Sequence, residues 1–290
     1  MKKISYTIFA IVIMLISLSI LIPNDLEVSK TIEFDRPDVS GAVYNLPWKH
    51  DKKFLKAQEE NDTHVLMAAY CTVFNDALPS EKFNVKLAAS QIAGFVVKPN
   101  EVFSQNKAIG PYDAKKGYKD GQSYIGSKII DTVGGGVCKI ATTLYNVSVA
   151  SNLEVVERYN HFMPVSYVPY GQDATVSYGS KDLRFRNNTE FPILIWAEGI
   201  ENRLYMSLYG KKKPPNVEWG HKVLSRTQTS KYYITNPNLA KGEERIIVEG
   251  MDGTSVESWV TITYSDGKTE TKNMGISQYW PKPYLIEINQ

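Results

Sequence analysis

Three consecutive glycines, Gly134, Gly135 and Gly136, stand directly before Val137, Cys138 and an apolar run. Without Cβ atoms, glycines take backbone values that other residues avoid, so a triplet lets the chain turn sharply into a helix. Past the triplet, Ile140, Leu144, Val147 and Val149 recur on one side, which predicts a helix from Cys138 to about Ser151. The first turn of a helix leaves amides unpaired and carries the positive end of the dipole. A thiol there is more acidic than a free one. Three readings stay open at Cys138: a nucleophile, half of a disulfide with Cys71, or a small buried side chain behind a tight turn.

The amino terminus constrains the compartment. Lys2 and Lys3 precede an uncharged, mostly apolar stretch from Ile4 to Ile22. As a helix rising about 1.5 Å per residue, it approaches the roughly 30 Å of a bilayer core. The lysines favour an inside amino terminus, and no small-residue cleavage site follows Ile20-Leu21-Ile22-Pro23. Residues 1–24 therefore read as an uncleaved single-pass membrane anchor, with a cleaved signal as the alternative, and the bulk of the chain is expected outside the cytoplasm. The formal charge is +2, which the two lysines supply, so the remainder is close to neutral. Nucleic acid is not an expected partner, because it calls for a basic patch. Peptidoglycan or its precursors, and other envelope proteins, stay open as partners.

Residues 25–82 read as a stalk and cover region with a helix over Asn61–Asn75, capped by Asp62 or Thr63. Phe83–Val97 reads as a helix or as a helix plus a strand. Gly110–Ile130, rich in glycine and tyrosine, suits short strands and loops. Short strands are expected in "LEVVERYNH", "PVSYV" and "GQDATVSYG", and a hairpin in "FPILIWAE", a turn at Gly199 and "NRLYMSLYG". "KKKPPN" at 211–216 is the best boundary. Beyond it, residues 211–290 read as a small β-rich module for spacing, polymer contact or annexation to the main domain. Its "SDGK" predicts a type I′ hairpin turn. The expected class is α+β: a central helix opened by a glycine-rich turn on a mainly antiparallel sheet, a small carboxy-terminal β module, and an amino-terminal transmembrane helix.

A thiolate used for acyl transfer needs a base, and the base needs an orienting acceptor. His161 and Asp173 come after Cys138 in order, each near the end of a strand-like segment, and form with it the candidate catalytic set. Gly135 and Gly136 are candidate oxyanion donors, and Lys139, Thr142, Arg158 and Asn160 are candidate ligand contacts. Each has a structural reading beside it: His161 capping a turn before Pro164, Asp173 in an Asx turn, Lys139 as a solvated first-turn residue. No compact ligand pair points to a metal, and no cofactor is expected.

The stretches "FNVKLAASQIAGFVVKPNEVFSQNKAIGPYDAKKGY", "GGGVCKIATTLYN", "LEVVERYNHFMPVSYVPYGQDATV" and "KDLRFRNNTEFPILI" resemble the VanW family of bacterial envelope proteins over about 83–210. The family pattern has glutamine where this chain has Lys139 and serine where it has Ala141; His161, Pro164, Asp173, Ala174 and Thr175 match it. The tail resembles a G5-type β module. The resemblance implies an envelope protein and brings no assigned reaction. The leading expectation is a membrane-anchored protein acting on peptidoglycan-related peptides by cysteine acyl transfer or hydrolysis. A non-catalytic wall-binding or assembly module using the same groove, and a scaffold for envelope proteins, are the alternatives.

Overall fold

The computed structural model describes residues 34–125 and 128–289. The expected anchor at 1–24 lies outside the described residues; among these, no helix is long and apolar enough to cross a membrane. In chain order the first half comprises β1 (Gly41–Ala42), α1 (Lys52–Asn61), β2 (Val65–Val73), α2 (Pro79–Ile92), β3 (Phe95–Val97), β4 (Val102–Ser104) and α3 (Gln105–Ile109). The hairpin β5 (Asp120–Ile125) and β6 (Lys128–Val133) leads through the glycine turn into α4 (Cys138–Ala150). Next come β7 (Glu154–Glu157), β8 (Arg184–Arg186), β9 (Ile193–Ile200) and β10 (Arg203–Gly210).

The main sheet is antiparallel, in the order β1-β2-β10-β9-β3. Its central strand β10 is buried on both faces, as a strand between two layers must be. Leu204, Met206 and Leu208 point to one core with α2 and α4, where they meet Ile92, Ile140 and Leu144. Tyr205 and Tyr209 point the other way, onto Trp48 and Phe54 of the amino-terminal cover. This alternation has the period of two that a strand imposes. The mixed α/β architecture with mostly antiparallel sheets is the one expected.

Several local expectations are overturned. The segment 61–75 is no helix: α1 ends at Asn61 and β2 runs from Val65. Leu208 pairs with Ala68 but Tyr209 with Leu66, so β2 carries an extra residue at Met67. That bulge interrupts the apolar alternation and mimics helical spacing. Cys71, on the cover side of β2, and Cys138, on the α4 side, are both free thiols. They pack against different cores, which rules out the disulfide. The β9–β10 turn falls at Glu201–Asn202, with Glu201 in the left-handed region. Gly199 lies within β9, where a side chain would meet the backbone of Lys86 in α2.

The tail adds β11 (Asn216–Thr227), β12 (Lys231–Thr235), β13 (Glu244–Val248), β14 (Gly253–Thr263), β15 (Thr269–Tyr279) and β16 (Tyr284–Ile288). They form two three-stranded sheets, β11-β14-β15 and β12-β16-β13. At the "SDGK" turn only Gly267 has a positive φ, so the turn is not type I′, which needs two. Val260 and Ile262 of β14 enter the same core as Leu144, and Trp219 of β11 packs on Tyr145 of α4. From Phe34 onward the chain is one compact unit, and the tail is built onto the main domain.

The glycine turn is tight for a steric reason. A Cβ on Gly135 would lie 2.3 Å from the carbonyl carbon of Gly121, while one on Gly41 meets nothing within 4 Å. Gly135→Ala is therefore expected to cost about 1–3 kcal/mol in equilibrium unfolding, the usual scale of overpacking, and Gly41→Ala to fall close to wild type.

Candidate active site

Helix α4 begins at Cys138 without a side-chain cap. Turn bonds engage the amides of Gly134, Gly135, Val137 and Lys139. Those of Gly136 and Cys138 have no partner among the described residues and are uncommitted donors beside the sulfur. Farther along α4, Thr142 Oγ1 donates to the Ala174 carbonyl and accepts from its amide, both at 3.0 Å. One turn on, Asn146 Nδ2 donates to Gln172 O at 2.8 Å. The polar positions of α4 thus stitch the irregular 171–176 segment to the helix and deliver Asp173 and Thr175 to its amino-terminal end. On its opposite side, Thr143 meets Thr72 of β2 at 2.7 Å.

Asp173 is 1% exposed, and four donors satisfy its carboxylate. Oδ2 accepts from the His161 amide at 2.7 Å and lies 2.6 Å from His161 Nδ1. Oδ1 accepts from Arg158 Nη2 at 3.0 Å and from the Tyr279 hydroxyl. Burial alone would raise its pKa; the bond to and charge of His161, with Arg158 and Tyr279, hold it at about 2 instead.

Nδ1 is turned to Asp173, and His161 and Cys138 lie close enough for each to shift the other's pKa. Thr175 Oγ1 lies 3.3 Å from the sulfur and the Val176 carbonyl 3.6 Å. Burial pushes the thiol up, but the hydrogen bond and positive charge of His161, with Thr175, outweigh it and bring the thiol down to about 7. Burial likewise opposes the imidazolium, yet Asp173 and the thiolate raise His161 to about 9. Each group thus favours the charged form of the other.

Cys138 is partly exposed, on a groove of about 740 Å³. Gly136, Lys139, His161, Tyr167, Thr175 and Glu81 are among its lining. Lys139 is paired with Glu81 at 3.4 Å and lies over the Tyr167 ring, so it is not a solvated first-turn residue. The other sequence candidates are elsewhere. Thr142 is fully buried, Gly135 packs on Gly121, and Arg158 braces Asp173 from behind. Asn160 bonds the carbonyls of His161 and Gln278. These four hold the site rather than line it. His161 and Asp173 themselves lie in loops after β7, not on the expected strands.

Residues 80–209 match the family model described as VanW like protein, and residues 222–280 match the G5 domain model. The chain carries a VanW-like domain followed by a G5 domain. It is similar to the uncharacterized protein YoaR of Bacillus subtilis (strain 168), with 40% identity over 143 residues, 49% of this chain and 47% of that protein. It is also similar to the vancomycin B-type resistance protein VanW of Enterococcus faecalis (strain ATCC 700802 / V583). That match has 30% identity over 168 residues, 54% of this chain and 61% of that protein. The chain thus spans about half the length of the first relative and about three fifths of the second. Among solved structures, the IgA1 protease G5 domain is 20% identical, covering 27% of this chain and 94% of that one at a TM-score of 0.17. HP0197-G5 is 13% identical, covering 25% and 97% at a TM-score of 0.15.

Thr175 and Val176, which contact the Cys138 sulfur, come from the VanW-like domain, while Tyr279 reaches Asp173 from the G5 domain. Sequence reading missed Tyr279 and Glu81 as contributors, and it placed Thr175 only as a match to the family pattern. Thr175 stands two residues after Asp173, so an extended segment would have pointed both the same way; Tyr279 carries no local signal.

Two outcomes are expected. Iodoacetamide alkylation of Cys138 should rise through a single inflection near pH 7 and move toward free-thiol values in His161→Ala, while buried Cys71, pushed up to about 12, stays unreacted. Asp173→Asn should lower unfolding stability by about 3–5 kcal/mol in denaturant titration, because it breaks a buried carboxylate's ion pair and leaves part-buried Arg158 without its charge partner.

Proposed function

We propose that this is an envelope protein whose VanW-like domain performs cysteine-based acyl transfer or hydrolysis on peptidoglycan-related peptides. The two family matches support the envelope setting. The observation that carries the chemistry is the set Cys138, His161 and Asp173, with Cys138 a free, partly exposed residue on the groove. In this reading the Cys138 thiolate attacks an acyl carbonyl, and the uncommitted amides of Gly136 and Cys138 hold the developing oxyanion. His161 then gives its proton to the departing amine as the C–N bond breaks, leaving a thioester. Water or an acceptor amine attacks the thioester, His161 takes the proton, and the thiolate is released.

The groove offers Lys139 and Glu81 as opposite charges and tyrosine faces beside the sulfur, which suits a peptide bearing both carboxylate and amine groups. Membrane attachment through the 4–22 segment belongs to the same proposal. A wall-binding role without chemistry uses the same groove, and one experiment separates the two. Wall fragments are incubated with the wild-type chain and with Cys138→Ala, and products are analysed by mass spectrometry. Expected are new fragments with wild type alone, at rates bounded by an acid limb near pH 7 and an alkaline limb near pH 9, where His161 loses the proton the leaving group needs. Equal binding by both chains with unchanged fragments would instead establish the binding role.

A further inference from the structure

The last turn of β15 is bonded residue by residue to the segment carrying His161. Ser277 Oγ accepts from Arg158 Nη1 at 2.8 Å, and the Gln278 carbonyl accepts from Asn160 Nδ2 at 2.8 Å. The Trp280 amide donates to the Phe162 carbonyl at 2.8 Å, and the two rings stack. Tyr279 stands among these contacts, 5% exposed and packed against Tyr170. Its hydroxyl oxygen accepts the Gly171 amide at 2.8 Å, and its one proton goes to Asp173 Oδ1.

A phenylalanine would fill the same space without burying a hydroxyl, so packing alone does not call for tyrosine. What the hydroxyl adds is a directed donor to the carboxylate oxygen that His161 does not use. We propose that Tyr279, carried by the G5 domain, is a positioning residue for the Asp173–His161 pair, so that the two domains make up one catalytic unit. The inference rests on the Cys138–His161–Asp173 reading above. A donor on Oδ1 draws charge from the carboxylate and so limits how strongly Oδ2 holds the imidazolium. It also blocks rotation of the carboxylate, which without Tyr279 only Arg158 would grip from that side.

The test tracks the His161 imidazole by NMR pH titration, and Cys138 alkylation in parallel, in the full chain. Three forms are compared: wild type, Tyr279→Phe, and wild type carrying 3-fluorotyrosine at position 279 only. The phenylalanine removes the donor, so the His161 titration should move upward. The fluorinated ring keeps shape and fold with a more acidic hydroxyl, so the titration should move downward. Opposite displacements are not the signature of a merely structural contact, and the fluorinated form answers the question even if Tyr279→Phe fails to fold. If His161 titrates identically in wild type and the fluorinated form, Tyr279 has no such role, and the Cys–His reading survives. If wild-type His161 and Cys138 both titrate as free side chains, the pair itself falls and the inference falls with it.

Discussion

A carboxylate held away from water is tolerated only when its charge is matched and its lone pairs are filled, and Asp173 meets both conditions. Two of its four donors belong to one residue, His161, through the backbone amide and the ring. The amide bond sets where the loop runs; the ring bond sets which imidazole nitrogen is left for sulfur. Arg158 supplies the compensating charge, and it too is held twice, to the Asp173 carboxylate and to its backbone carbonyl at 2.7 Å. Remove the carboxylate, and the orientation of the imidazole, the acidity of the thiol and the burial of the guanidinium all lose their cause.

Helix α4 makes that arrangement possible by being buried on nearly every side. Its apolar positions fill the core beneath the main sheet, and its threonines and Asn146 are left to find partners inside the protein. Thr143 bonds β2 while Thr142 and Asn146 bond the loop bearing Asp173, so the stretch "TTLYN" is a set of internal fasteners. The free end of the same helix opens onto the groove with Cys138. One element therefore joins a rigid interior to a reactive tip.

Much of this was legible in the order of residues. The glycine triplet and the apolar spacing after it marked α4 closely, and the β9–β10 hairpin came from local pattern with its turn set too early, while 110–130 read only as short strands and loops. Cys138, His161 and Asp173 could be picked out because residue type and chain order suit one chemistry. What stayed hidden has identifiable physical causes. The bulge at Met67 gave β2 the spacing of a helix. The loops of His161 and Asp173 owe their paths to side chains of α4 rather than to strand pairing. Thr142 and Arg158 were chosen for their chemistry, but burial turned them into supports. Tyr279 meets Asp173 only because two distant sheets share one core, a relation no local window contains.

The G5 contact also has a meaning in time. A ribosome makes Cys138, His161 and Asp173 long before Tyr279, which lies 106 positions beyond Asp173. A nascent chain that has folded its first domain still lacks one donor on the carboxylate and the whole strip from Ser277 to Trp280 that clamps the His161 loop. If Tyr279 has the role proposed above, the surroundings of the thiol are complete only once residues 277–280 have been made and packed. A truncated or unfinished product would carry the cysteine without its fully braced partner.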